Sequence, residues 1–184
     1  INSANLAISF AQMGKKTLII DADMRNPSLH KLFSLHSKNG LSEILAGLTD
    51  NISVSKTDVD NLSVLTAGIP PNPTELLASD RMDKLLGFVR EHYDCVFIDT
   101  PPINIVTDAT VFAQKTTGYI VIVKTDTTKV PEVKTAVQTL ESIGSSILGF
   151  ILNDANSDKK KYYSYYRKYS RSYAYNYKYS YGNK

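Results

Sequence analysis

The chain has 184 residues, 42% of them hydrophobic, a formal net charge of +3 and a single cysteine. That length suits one domain whose core stands without staples, and Cys95 alone excludes a disulfide framework and a multi-cysteine metal site and fits a reducing cytosol. No run of 18 apolar residues occurs, which excludes a membrane-spanning helix, and Ile1 opens no signal-peptide pattern.

In chain order, residues 2–13 read as a helix closed by Gly14. Five short runs follow as strands: Thr17–Asp21 (TLIID), 62–66 (LSVLT), Cys95–Asp99 (CVFID), 119–123 (YIVIV) and 147–152 (ILGFIL). Each is apolar or β-branched nearly throughout, as parallel strands buried on both faces are. Between them, Ala78, Met82, Leu85, Leu86 and Val89 recur at helical spacing, as do Val133, Val137 and Leu140, with Gly144 as the last helix stop. Strand–helix alternation predicts an α/β domain with right-handed crossovers, a mostly parallel sheet and helices on both faces. Ligands of such sheets bind at the carboxyl ends of the strands.

The net charge averages two unlike parts. Residues 1–158 carry 13 basic and 18 acidic side chains, a balance of −5, whereas residues 159–184 carry 8 basic and none acidic. Ten of the 12 tyrosines lie between Tyr162 and Tyr181, and from Asn156 onward there is no Val, Ile, Leu, Met or Phe. A segment without aliphatic residues cannot offset its ordering entropy, so residues 156–184 are expected to form a disordered, low-complexity, basic tail behind a domain of residues 1–155.

Two predicted strands end in aspartate. The first continues Asp21-Ala22-Asp23-Met24-Arg25 and the second Asp99-Thr100-Pro101-Pro102. A carboxylate at a strand tip can hold Mg²⁺ directly or through water beside a nucleotide, or merely cap a turn or helix. Two such tips together favour the first reading. Asp108 precedes an apolar helical stretch and reads as an N-cap. His30, His36 and His92 share no metal-ligand spacing, and Cys95 reads as packing.

LIIDADMR and VFIDTPP resemble the second nucleotide-site motif and the Walker B motif of the bacterial tyrosine kinases. These are the autokinases of capsule and exopolysaccharide synthesis, with the deviant-Walker P-loop ATPase fold shared with partitioning and division-site ATPases. Residues 68–77 (GIPPNPTELL), Thr107-Asp108-Ala109, Leu152-Asn153 and the tyrosine-rich end carry the resemblance along the chain. It implies ATP and Mg²⁺ as cofactors and transfer of the γ-phosphoryl group to tyrosine. Asp21, Asp23 and Asp99 would be catalytic. Asp21 would accept the tyrosine proton, and Asp23 and Asp99 would hold the Mg²⁺ shell. Arg25 would pair with phosphate or with acids across a subunit boundary. Asn153 would contact the base, or simply begin a turn.

The resemblance further implies that Tyr162, Tyr163, Tyr165, Tyr166, Tyr169, Tyr173, Tyr175, Tyr177, Tyr179 and Tyr181 are autophosphorylated in trans. A 26-residue tail spans roughly 85 Å when extended, enough to enter a neighbour's site. Ten phosphates at about −1.5 to −2 charges each would turn +8 into roughly −7 to −12, so salt and phosphorylation would loosen assembly in the same direction. Expected partners are a membrane-embedded activator of the polysaccharide co-polymerase type, further copies in a ring, and a cognate tyrosine phosphatase, with no nucleic acid. The location would be cytoplasmic, at the inner face of the membrane. The family's Gly-Lys-Ser/Thr loop is absent and residues 1–13 match the helix that follows it, so the chain is expected to be a fragment that binds ATP poorly by itself. Two rivals remain at the level of sequence. One is a positioning ATPase with a non-substrate tail. The other is a nucleic-acid or scaffold module using interleaved Lys, Arg and Tyr.

Overall fold

A computed structural model describes residues 1–35, 39–68 and 72–155. The tail calls, including every candidate phosphotyrosine, and the segment 69–71 lie outside the described residues, as does His36.

The chain begins with helix α1 (Asn2–Gln12) and strand β1 (Thr17–Asp21), followed by two short helices, α2 (Leu29–Leu32) and α3 (Leu41–Leu45). A short β2 (Ser55–Lys56) and β3 (Leu62–Leu65) lead to α4 (Pro73–Leu77), α5 (Asp80–His92) and β4 (Cys95–Asp99). A 3₁₀ helix (Thr107–Phe112) precedes β5 (Tyr119–Lys124), α6 (Val130–Ser142) and β6 (Ile147–Asn153). The order of the larger sheet is β2-β3-β1-β4, parallel except for β2, and β5 and β6 form a separate parallel ladder.

The period of two along β1 divides its side chains between two layers. Leu18 and Ile20 join Leu65 and the buried face of α5 (Met82, Leu85, Leu86, Val89), together with Leu41, Leu45 and Leu77. Ile19 faces the other way, toward Leu62, Val64, Leu29 and the alanines of α1. Ala4, Ala7 and Ala11 recur at helical spacing and are fully buried, which lets α1 lie close against β1 and β4. The rings of Phe10 and Phe97 meet edge-on at 5.3 Å in the same layer.

At the carboxyl end of β3 the backbone turns so closely past α3 that only glycine fits. A Cβ on Gly40 would lie 2.5 Å from the Gly68 nitrogen, and Gly68 itself has φ +75°. Leu41 and Ser42 donate their N–H groups to the carbonyls of Thr66 and Ala67 across this contact.

The structure corrects four expectations. β1 is buried on both faces and β3 at all but Ser63, but β4 is half-buried throughout, and β5 and β6 alternate half-buried with exposed residues; Leu148, Phe150 and Leu152 are among the exposed ones. An apolar composition alone does not distinguish a sheet covered twice from one covered once. Ala78 is not on the α5 face: it is the exposed C-cap of α4, because the chain breaks at Ser79 before α5 restarts. On α6, Ala136 and Leu140 are the buried residues, with Val133 and Val137 only half-buried. Asp108 is not an N-cap. Val106 occupies that position, and Asp108 lies inside the 3₁₀ helix with its carboxylate fully buried.

Candidate active site

The register of β1 against β4 pairs Asp21 with Asp99, and adjacent parallel strands lie about 4.8 Å apart. Alternation places Asp21 on the Ile19 side and Asp99 on the Phe97 side, both toward α1. The Ala22 N–H donates to the Asp99 carbonyl at 2.8 Å and holds the two tips level. Ser3, in the first turn of α1, donates its hydroxyl to Asp99 Oδ1 at 2.8 Å. The amino end of α1 therefore faces the acid-bearing strand tips, where backbone N–H groups and the helix dipole favour an anion.

Asp21 is fully buried. Its Oδ2 accepts N–H groups from Ser28 at 3.1 Å and Leu29 at 3.0 Å, which folds the segment after β1 back over the strand. Its Oδ1 is buried with no partner among the described residues. Burial pushes the carboxyl up from 3.8 to about 6, against the pull of those two N–H groups, with the Asp99 and Asp23 charges adding to the rise. Burial also raises Asp99, and the Ser3 hydroxyl opposes that rise. Asp23 is half-buried, and its Oδ1 accepts the Asn26 N–H at 3.0 Å.

Among the described residues no group of three or more His, Cys, Asp or Glu is arranged to hold a metal ion by itself. The donor set fits a different kind of ion. Two half-buried carboxylates, Asp23 and Asp99, match Mg²⁺, which takes one or two carboxylates and draws its remaining ligands from water and phosphate.

Arg25 turns to Asp108. Its Nε donates to Oδ2 at 2.7 Å and its Nη2 to Oδ1 at 3.2 Å, a two-pronged ion pair. Thr74 donates its hydroxyl to Asp108 Oδ1 at 2.5 Å and accepts from Arg25 Nη2 at 3.0 Å. Arg25 holds Asp108 well below the usual carboxylate range. Asn153 closes β6, and its carbonyl accepts the Thr125 N–H at 2.9 Å and hydroxyl at 3.0 Å. It belongs to the β5–β6 ladder, so the described hydrogen bonds do not join it to the three acids. The left-handed turn residue is its neighbour Asp154.

The structure brings two of the sequence-named acids, Asp21 and Asp99, side by side with Asp23 close in sequence, and adds contacts from Ser3, Thr74 and Asp108 that sequence reasoning does not assign. Asp108 carried two usable signals, an acid opening an apolar stretch and its place in the Thr107-Asp108-Ala109 segment of the resemblance. Thr74 lies in the 68–77 segment that carries the resemblance, but nothing local names its partner, and Ser3 carried no signal, because their partners lie 34 and 96 residues away.

Residues 1–147 match the family model described as an AAA domain. The putative tyrosine-protein kinase CapB of Staphylococcus aureus is 44% identical over 167 residues, spanning 90% of this chain and 73% of that protein. Tyrosine-protein kinase etk of Escherichia coli K12 is 39% identical over 165 residues, spanning 89% of this chain but only 23% of that longer protein. The crystal structure of the chimerical protein CapA2B2 superposes with a TM-score of 0.78 at 41% identity, over 82% of this chain and 67% of the other. A septum site-determining protein MinD from Pyrococcus horikoshii, solved with Mg-ADP, gives a TM-score of 0.71 at 21% identity, over 85% of this chain and 65% of the other, and shows the fold alone. With a P-loop-type α/β fold, aspartates in register at the tips of β1 and β4, and relatives of this similarity along nearly all of its length, the chain belongs to the bacterial tyrosine-protein kinase family.

Proposed function

We propose that the protein transfers the γ-phosphoryl group of ATP to tyrosine hydroxyls, and that its own tail tyrosines between 162 and 181 are substrates, reached in trans. The observation that carries this reading is the in-register pair Asp21 and Asp99, with Asp23 beside them, on a chain of this family. Mg²⁺·ATP, when bound, supplies the phosphoryl group and neutralises its charge. Phosphoryl transfer of this type depends on positioning and charge more than on covalent chemistry from the protein. Asp23 and Asp99 would hold the metal shell, directly or through water. Asp21 orients the hydroxyl and takes its proton at Oδ1. A carboxyl raised to about 6 is a better proton acceptor near neutral pH than an ordinary one. The Ser28 and Leu29 N–H groups hold Oδ2 and leave Oδ1 without a partner among the described residues. Asn153 contacts the base.

Residues 1–155 form the catalytic domain and 156–184 the substrate tail. The protein regulates capsular or exopolysaccharide synthesis and chain length. It works at the inner face of the membrane through a membrane-embedded activator, assembles into a ring while unphosphorylated, and is reset by a cognate phosphatase. No described helix is long and apolar enough to cross a membrane.

The test is phosphotyrosine mass spectrometry of the full-length protein incubated with Mg²⁺·ATP. Modification within residues 162–181, abolished by Asp21→Asn, is the expected result. ATP hydrolysis with unmodified tyrosines would instead identify a positioning-type ATPase and overturn the kinase reading.

A further inference from the structure

The Arg25–Asp108–Thr74 cluster joins three loops, each leaving the carboxyl end of a neighbouring strand in the order β3-β1-β4. Thr74 lies in α4 after β3, Arg25 follows β1, and Asp108 follows β4. The Asp108 carboxylate is completely buried and is satisfied by three donated hydrogen bonds, two of them from a guanidinium that stays 44% exposed. The 3₁₀ helix that carries Asp108 is itself anchored to β5, where the Tyr119 hydroxyl donates to the Ala109 carbonyl at 2.8 Å.

Arg25 stands two residues from Asp23, and the Asp23 charge acts on it. Yet among the described residues the one ion pair of Arg25 is with Asp108. A mobile guanidinium beside a metal-binding carboxylate would compete with the cation for it, since both bind carboxylate oxygens. We propose that Asp108 is a positioning residue that holds Arg25 away from Asp23, with Thr74 locking the fork, so that Asp23 stays open to a divalent cation. The proposal rests on the reading of Asp23 as a metal ligand given above.

The test is Mn²⁺ binding to the full-length protein in the presence of ADP, read from the free-ion electron paramagnetic resonance signal. Asp108→Asn frees Arg25 to swing to Asp23 and weakens Mn²⁺ binding roughly tenfold, the equivalent of about 1.4 kcal/mol. The double variant Asp108→Asn/Arg25→Met removes the competitor as well and returns binding to within about threefold of wild type, although the ion pair is gone. A merely structural role would leave the double variant as weak as Asp108→Asn or weaker, and that result overturns the proposal, as does unchanged binding in Asp108→Asn. Should Asp108→Asn fail to fold, Arg25→Lys carries the same question. An ammonium cannot make the two-pronged contact and is expected to move to Asp23 and weaken Mn²⁺ binding, and unchanged affinity there refutes the idea. A protein that binds Mn²⁺ with these dependences but phosphorylates no tyrosine sinks the kinase reading and leaves this one standing. A wild-type protein that binds no Mn²⁺ at all overturns it.

Discussion

Asp21 should cost the fold stability at neutral pH, and a neutral replacement should remove the pH-dependent part of that cost. Burial lifts its carboxyl from 3.8 to about 6. A raised folded-state value means that the native protein favours the protonated acid. The resulting stability is fully present below pH 3.8 and is lost as the pH rises through about 6. At about 1.4 kcal/mol per pK unit, the ionised form costs about 3 kcal/mol at neutral pH. Asp21→Asn keeps an oxygen to accept the Ser28 and Leu29 N–H groups and carries no charge. Its NH₂ group enters the space of the unpartnered Oδ1, an unsatisfied burial costing about 1 to 3 kcal/mol that does not vary with pH. The diagnostic is therefore the pH dependence of the difference. Urea unfolding of wild type and Asp21→Asn at pH 4.5 and 8 should show the variant gaining about 2 kcal/mol relative to wild type across that interval. With a urea slope near 2 kcal/mol/M, the gap between midpoints moves by about 1 M. A gap that stays constant with pH would mean that Asp21 ionises normally, and the desolvation argument would fail.

Ser3→Ala removes the hydroxyl that stabilises ionised Asp99, so Asp99 should titrate at still higher pH, visible as an upward shift of its carboxyl carbon-13 resonance midpoint. Gly68→Ala places a methyl against the Ser42 hydroxyl at a left-handed φ and should destabilise the protein by more than about 1 kcal/mol in thermal or urea unfolding. Ala7→Leu overfills the layer between α1 and the sheet; about 1 to 3 kcal/mol should be lost, whereas Ala78→Leu, exposed between α4 and α5, should change stability by under about 0.5 kcal/mol. Tyr119→Phe, which deletes the hydrogen bond to Ala109, is expected to cost about 1 kcal/mol.

Much of this molecule follows from local sequence. TLIID and CVFID dictate strands because each places apolar or β-branched residues at successive positions and ends in an acid, and the structure gives both the bounds read from the sequence. The α5 core residues Met82, Leu85, Leu86 and Val89 follow from helical spacing in the same way. What periodicity cannot encode is coverage. YIVIV and ILGFIL have the same character as TLIID, yet β1 lies in the middle of a four-stranded sheet with layers on both sides, whereas among the described residues β5 and β6 pair with each other alone.

The acids at the strand tips could be named from sequence because strand direction and the carboxyl-end rule require only local information. Their environments could not. Asp21 and Asp99 become partners only when β1 and β4 align, 78 residues apart in sequence, and burial and Ser3 then set their affinities for protons. Arg25 shows the division most clearly. Sequence offered it a phosphate or an acid in a neighbouring subunit, and the fold gives it Asp108, 83 residues downstream in the same chain. A side chain's type and position along the strand are properties of the sequence. Its partner is a property of which strand tips the tertiary structure brings together.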